Sequence, residues 1–266
     1  MTLPTINMLW IGDSLSLMEQ LAITSFLQNG HAVRLFTYGK VRNVPAGAEV
    51  VRGDEILPKS KIFKVKGSYA AFADYFRWEL MAKHGGFYCD TDVICLKPFV
   101  FFQDIIIGAQ DKYGYSEYLT PTVLKLPKGH MIARHMASCS AHPLWPRVYD
   151  SKEKLKQKLR YLCKLQFPKA LGWGETSGPW GLSRAFYHYK WENLFKVQPT
   201  NVFYPVHYTE VKKIVEPGVL SVEGLPEDSK AIHLWNEMWN CEGINKNEVP
   251  AENSLYWQLL KKYDVI

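Results

Sequence analysis

Gly85-Gly-Phe-Tyr-Cys-Asp90-Thr-Asp92-Val-Ile-Cys-Leu96 is the stretch on which the reading of this chain turns. An apolar Phe-Tyr-Cys run after a Gly-Gly break reads as a short strand, and Asp90 and Asp92 follow it at once. Residues two apart in a strand point to the same side. If the extended conformation continues through the tripeptide, both carboxylates face one hard divalent cation. The same tripeptide also occurs as a solvated turn, so its neighbours have to decide.

Upstream, residues 68–84 read as a helix closed by Gly85-Gly86 and set with Tyr69, Phe72, Phe76, Trp78, Leu80 and Met81. So apolar a helix is expected to be buried on most sides. Asp74 and Arg77 lie three apart within it, hence on one face. They can satisfy each other, or point into a cleft where they would suit hydroxyls and phosphate oxygens.

The chain opens with an apolar segment, 6–11, that reads as a buried strand, and Gly12-Asp13-Ser14 follows as a turn. Leu17, Leu21, Ile23, Phe26 and Leu27 then give a helical apolar face that stops at Asn29-Gly30, and 31–38 is a second strand. Strand, helix and strand in this order begin many nucleotide-binding α/β domains. No Gly-x-Gly-x-x-Gly or P-loop pattern occurs, so neither a dinucleotide cofactor nor a P-loop is supported. Further strands are expected at 104–109, 120–126, 201–206, 211–215 and 231–235, with a helix around 130–139 and a Gly- and Trp-rich loop at 171–180. The absence of repeats and low-complexity linkers predicts one domain, 1–266.

With 47% apolar and 22% charged residues in 266, the composition is that of a globular protein. Nine Trp and fifteen Tyr suit the stacking of flat rings such as sugars or nucleobases, and equally an aromatic core. Cys89, Cys95, Cys139, Cys163 and Cys241 are odd in number and scattered, which suggests neither a disulfide framework nor a zinc site. The first residues lack a signal-like pattern and no run of 18 apolar residues occurs, so the expectation is a reduced, cytoplasmic protein.

The formal charge of +6 favours anionic partners. Its densest stretch is 152–164, where Leu155, Leu159 and Leu162 form a narrow helical stripe between cations. Such a helix packs its leucines on its own core, or lies on an anionic membrane at the inner face. No nucleic-acid-binding motif accompanies the charge, and nucleic acid is not expected.

Taken together, Ala73-Asp-Tyr-Phe-Arg77, the Gly-Gly break, Tyr88, Asp90-x-Asp92 and Cys95-Leu-Lys-Pro98 resemble the sugar-binding region of the Asp-x-Asp glycosyltransferases. That family holds fungal initiating mannosyltransferases, α-1,4-galactosyltransferases and bacterial capsule and lipopolysaccharide transferases; the glucosyltransferase domains of large cytotoxins are more distantly similar. Leu9-Trp10-Ile11-Gly12, Ser177-Gly178-Pro179 and Ala231-Ile-His-Leu-Trp-Asn236 extend the resemblance. Ala73 departs from it, standing where the toxin relatives carry Ser.

The resemblance implies an α/β fold of GT-A type, with a Rossmann-like central mixed sheet flanked by helices. It divides the chain into a nucleotide-sugar and metal-binding half, 1–110, and an acceptor-side half, 111–266, whose last segment closes the site. A hexose would move, with retention, from a nucleotide diphospho-sugar (UDP favoured, GDP-mannose open) to a saccharide or glycolipid, in bacterial surface polysaccharide synthesis. Asp92 would bind Mn²⁺ or Mg²⁺ directly, Asp90 the metal, the ribose or both, and His233 would be a third ligand or a hydrogen-bonded core histidine. Asp74 and Arg77 would hold the donor sugar and diphosphate, Tyr88 and Tyr38 would line the pocket, and Trp10 would stack on the base. Trp235 or Asn236 would close over the phosphates. Asp111, Glu117 and Glu175 are acidic candidates on the acceptor side.

Two rivals share the motif. Phosphohydrolases use Asp-x-Asp as nucleophile and acid/base, but usually on a first strand and with a small or hydroxyl residue where this chain has Ile94. A sugar-nucleotide-binding protein without turnover would keep the same side chains.

Overall fold

A computed structural model describes residues 2–113, 116–165 and 174–266, without the side chains of 112, 113 and 116. The start of the expected loop, residues 171–173, therefore lies outside the described residues. In chain order come β1 (Ile6–Trp10), α1 (Leu17–Gln28), β2 (Val33–Thr37), β3 (Glu49–Arg52), α2 (Ala70–Lys83), β4 (Gly86–Cys89) and β5 (Val93–Cys95). The antiparallel pair β6 (Ile106–Tyr113) and β7 (Ser116–Leu126) precedes α3 (Met131–Ala141), α4 (Lys152–Cys163) and α5 (Pro179–His188). Last are α6 (Thr200–Phe203), α7 (Lys212–Val215), β8 (Ala231–His233), α8 (Asn236–Cys241) and α9 (Leu255–Lys262).

By contacts the chain forms two compact units. The first comprises Met1–Arg52, Phe87–Phe102 and Pro199–Ile266. Its strands run parallel in the order β3-β2-β1-β4, with Ile6 level with both Val33 and Phe87. Ile6, Met8 and Leu9 of β1 are all buried, the continuous apolar run expected of a strand covered on both faces. Asn7 adds a side-chain bond of 2.7 Å to the Phe87 carbonyl, which ties β1 to β4 beside the motif.

Ser16 starts α1 through a capping box with Glu19, a device that contributes about 1 kcal/mol. Asn29 caps the other end, and Gly30 takes φ +85°, the left-handed turn that lets the chain enter β2. The α/β class and the parallel, Rossmann-like strands are thus as expected, with β3 in addition.

The second unit comprises Gly53–Gly86 and Gln103–Gln198. There α2 packs on α3, and α5 on β7. Gly85 has φ +69°, and a Cβ on it would come within 2.4 Å of the Lys128 nitrogen, so only glycine fits this end of α2.

Two expected strands are helical instead: 201–206 overlaps α6 and 211–215 contains α7. Runs this short carry too little periodicity to tell the two apart. In α7 the turn buries Ile214 while Lys212 and Lys213 stay exposed. All five cysteines are free thiols, Cys89, Cys95 and Cys139 being buried. No helix among the described residues is long and apolar enough to cross a membrane.

Candidate active site

The tripeptide Asp90-Thr91-Asp92 is a turn, not a continued strand. β4 ends at Cys89, the Val93 nitrogen donates back to the Asp90 carbonyl (3.2 Å), and β5 leaves in a new direction to pair antiparallel with β8. The same-side argument from an extended strand is therefore overturned. What places the carboxylates is the reversal itself: Val93 is level with His233, and the Leu234 nitrogen donates to the Asp92 carbonyl (2.9 Å).

Asp92 is held from two directions. Its Oδ2 accepts from His233 Nε2 at 3.0 Å and from the Asn236 backbone N–H at 2.9 Å. The second bond exists because Trp235 adopts φ +59°, an uncommon conformation for a bulky residue, which swings the start of α8 toward the carboxylate. Burial by itself would raise the Asp92 pKa; the charge and hydrogen bond of His233, then the Asn236 N–H and Lys246, outweigh it and hold the carboxyl below its ordinary range. Oδ1 of Asp92 makes no hydrogen bond among the described residues. Asp90 Oδ1 accepts from the Tyr88 hydroxyl at 3.0 Å.

Trp10 ends β1, Tyr38 follows β2 and Asp90 follows β4, so all three stand at the carboxyl edge of one parallel sheet, where open α/β sheets bind ligands. Gly12 passes close over the indole: a Cβ there would lie 3.0 Å from Trp10 Nε1. Trp235, by contrast, is a packing residue in this structure. Its indole is buried, donates to the Val206 carbonyl (2.8 Å) and lies 4.0 Å from the His233 ring.

Sequence reasoning missed Lys246 and Glu19. Lys246 Nζ lies 5.1 Å from the centre of the Trp10 ring and 2.5 Å from Glu19 Oε1, and the Glu19 side chain is 1% exposed. The Ser-x-x-Glu spacing of the capping box could have located Glu19. Nothing local announces a partner 227 positions away.

In the second unit Asp74 and Arg77 are both buried, with Arg77 Nε 3.5 Å from Asp74 Oδ1 and Nη1 donating to the Pro121 carbonyl at 2.8 Å. Ser177-Gly178-Pro179 comes to the same place. The Ser177 carbonyl accepts from Trp78 Nε1 (2.7 Å), and a Cβ on Gly178 would lie 2.5 Å from Asp74 Oδ2. Gly178 is the N-cap of α5, whose N-terminus favours a neighbouring carboxylate. Of the acidic acceptor-side candidates, Glu175 is ion-paired with Lys154 and Arg184, while Asp111 stands on β6 and Glu117 on β7.

No group of three or more His, Cys, Asp or Glu among the described residues is already arranged around a metal position. Asp90 and Asp92 nonetheless fit a divalent cation. They are hard oxygen donors on one tight turn, Asp92 is held with one oxygen left over, and an incomplete set leaves positions for phosphate and water. His233 has Nε2 engaged with Asp92, the bond by which a second residue orients a ligand carboxylate.

Two known families match this chain. Residues 48–113 match the glycosyltransferase sugar-binding region containing the DXD motif, and residues 182–263 match the alpha 1,4-glycosyltransferase conserved region. Both matched regions are glycosyltransferase regions, and the Asp90-Thr91-Asp92 tripeptide lies inside the first. The first spans Asp74, Arg77, Tyr88, Asp90 and Asp92; the second spans His233, Asn236 and Lys246. A human alpha-1,4-N-acetylglucosaminyltransferase is 28% identical over 195 residues, 72% of this chain. The match covers 49% of that protein, so the chain spans about half the length of this curated relative. Among solved structures, the PaToxG glycosyltransferase is 14% identical with a TM-score of 0.46, over 70% of this chain and 69% of that one. The catalytic domain of alpha-toxin from Clostridium novyi is 10% identical with a TM-score of 0.46, over 97% and 82%.

Proposed function

We propose that this chain is a DXD glycosyltransferase that moves a hexose, or its N-acetylamino form, from a nucleotide diphospho-sugar to a saccharide or glycolipid acceptor, with retention, in the assembly of a surface polysaccharide or glycolipid. UDP is the favoured nucleotide, with GDP-mannose as the second donor. The alpha-1,4 region and the name of the human relative make an α-1,4 linkage and N-acetylglucosamine the first choices to test. One observation carries the reading: Asp92, at the reversal after β4, is clamped through Oδ2 by His233 and the Asn236 N–H, leaving Oδ1 for a ligand.

Asp90 and Asp92 would hold Mn²⁺ or Mg²⁺. When bound, such a cation supplies the positive charge that stabilises a departing diphosphate. His233 keeps the Asp92 carboxylate oriented and ionised, and the Tyr88 hydroxyl orients Asp90 through its hydrogen bond to Oδ1. Trp10 offers a ring face to the base, with Tyr38 beside it at the sheet edge, and Asn236 stands at the phosphate end. Asp74 accepts hydrogen bonds from sugar hydroxyls, and Arg77 holds Asp74 in place.

The experiment is a thermal-shift and calorimetric screen of nucleotide sugars with and without Mn²⁺, followed by a hydrolysis assay on the best binder. Donor-selective, Mn²⁺-dependent stabilisation with slow release of free sugar supports the reading. Hydrolysis of simple phosphate esters with no nucleotide-sugar binding would replace it with the phosphohydrolase, and binding without turnover on any acceptor with the inactive binding protein.

A further inference from the structure

The helix α4 is inside out. Its inward positions are Lys154, Gln157, Lys158 and Tyr161, spaced i, i+3, i+4 and i+7, whereas Leu155, Leu159 and Leu162 are 36%, 61% and 52% exposed. Among the described residues, the three leucines therefore face away from the unit and not into its core. The reversal is enforced by ion pairs: Lys158 reaches the carboxylate of Asp150 and the Trp145 carbonyl, and Lys154 reaches Glu175. Both acids lie on segments flanking the helix, so its polar face is the one fixed to the unit.

Around the outward leucines stand Lys152, Lys156, Arg160 and Lys164, none in an ion pair among the described residues. Trp145, whose carbonyl Lys158 holds, is 57% exposed and stacks flat on His142 with ring centres 3.8 Å apart. Val148, on the same segment, is exposed as well. A groove beside the helix is lined by Lys154, Lys156, Arg160 and Arg184 against Glu153 and Glu175, a cationic excess suited to a phosphate headgroup.

We propose that α4 docks on an anionic lipid bilayer, its leucines entering the headgroup boundary, its unpaired cations meeting acidic headgroups, and Trp145 lying at the interface. A second copy of the same face is disfavoured, because it would bring two sets of unpaired cations together. The inference goes beyond the transfer reaction and does not depend on it. Lys154 pairs with Glu175, three residues before the Gly178 that packs on Asp74, so the docking face is tied to a segment of the candidate site.

The test is flotation of the full chain with vesicles of phosphatidylcholine alone and with about 30% phosphatidylglycerol, at physiological salt. The wild type is expected to float with the anionic vesicles and to stay behind with the neutral ones. The triple variant Leu155→Gln/Leu159→Gln/Leu162→Gln and the quadruple variant with Lys152, Lys156, Arg160 and Lys164 changed to Gln should each bind about tenfold or more weakly. Both should keep the wild-type circular dichroism and Tm, because every altered side chain is exposed. Failure of the wild type to bind anionic vesicles, or full binding by the leucine variant, overturns the proposal. A dimer in sedimentation velocity that the leucine variant abolishes, with vesicles ignored, would also overturn it and assign the face to self-association.

Discussion

His233 Nε2 stands 3.0 Å from Asp92 Oδ2, and the two residues are 141 positions apart, joined only because β5 pairs with β8. The side chains are 9% and 13% exposed, so the contact is sheltered from solvent and from screening salt. Replacing His233 with Ala should loosen the orientation of Asp92 and weaken Mn²⁺-dependent donor binding about ten- to a hundredfold. His233→Gln, which can still donate from its amide, should recover part of that loss. Calorimetric titration of the donor in the presence of Mn²⁺ measures both. A wild-type affinity in His233→Ala would remove the positioning role.

The depressed pKa of Asp92 links this contact to pH. A carboxyl whose folded pKa lies below its unfolded value contributes stability in full above the unfolded value, about 4 for Asp, and loses it as pH falls toward the folded value. The Tm gap between wild type and Asp92→Asn should therefore be widest near neutral pH and should close as the pH is taken below about 4. A gap that widens on acidification would contradict the assignment of cause.

Gly178→Ala should damage the second unit locally. The new Cβ would stand 2.5 Å from Asp74 Oδ2 and 2.5 Å from the Gly174 Cα, so backbone or the Asp74 carboxylate has to move. A cost of about 1–3 kcal/mol is expected, with weakened donor-sugar binding alongside. Gly39→Ala, with nothing within 4 Å of its added Cβ, is the control and should change Tm little. Chemical denaturation and donor titration together test this.

Lys246→Met should leave the Glu19 carboxylate buried without its cation. Because the Lys246 side chain is 22% exposed, the loss is placed at about 2–3 kcal/mol, toward the low end for breaking a buried pair. Adding Glu19→Gln to Lys246→Met should restore much of it, which a double-mutant cycle from urea melts would read directly. Additive losses would mean that the pair is not coupled.

The parts that were legible in the sequence are those set by local pattern. The strand, helix and strand up to Thr37 and the helix carrying Asp74 and Arg77 follow from periodicity and from the glycine stops at Gly30 and Gly85. The residues of the Asp-Thr-Asp motif were legible as chemistry, but not its conformation, because the turn is imposed by β8, far along the chain. Lys246 on Glu19 has the same cause. The orientation of α4 stayed open in the sequence for a different reason: apolar periodicity gives the stripe, and the ion pairs of Lys154 and Lys158 decide which side faces in. Trp235 was named from the family resemblance alone, and its indole N–H bond to the Val206 carbonyl has no local signal in the sequence.

Asp92→Asn carries the central claim most directly. With Mn²⁺ present, the purified variant should keep its secondary structure and lose donor-dependent heat in a calorimetric titration with the nucleotide sugar that the wild type binds, at least a hundredfold in affinity, on the order of 3 kcal/mol. Undiminished, Mn²⁺-dependent binding by Asp92→Asn would contradict the account, since the carboxylate clamped by His233 and Asn236 would then hold no part of the donor complex.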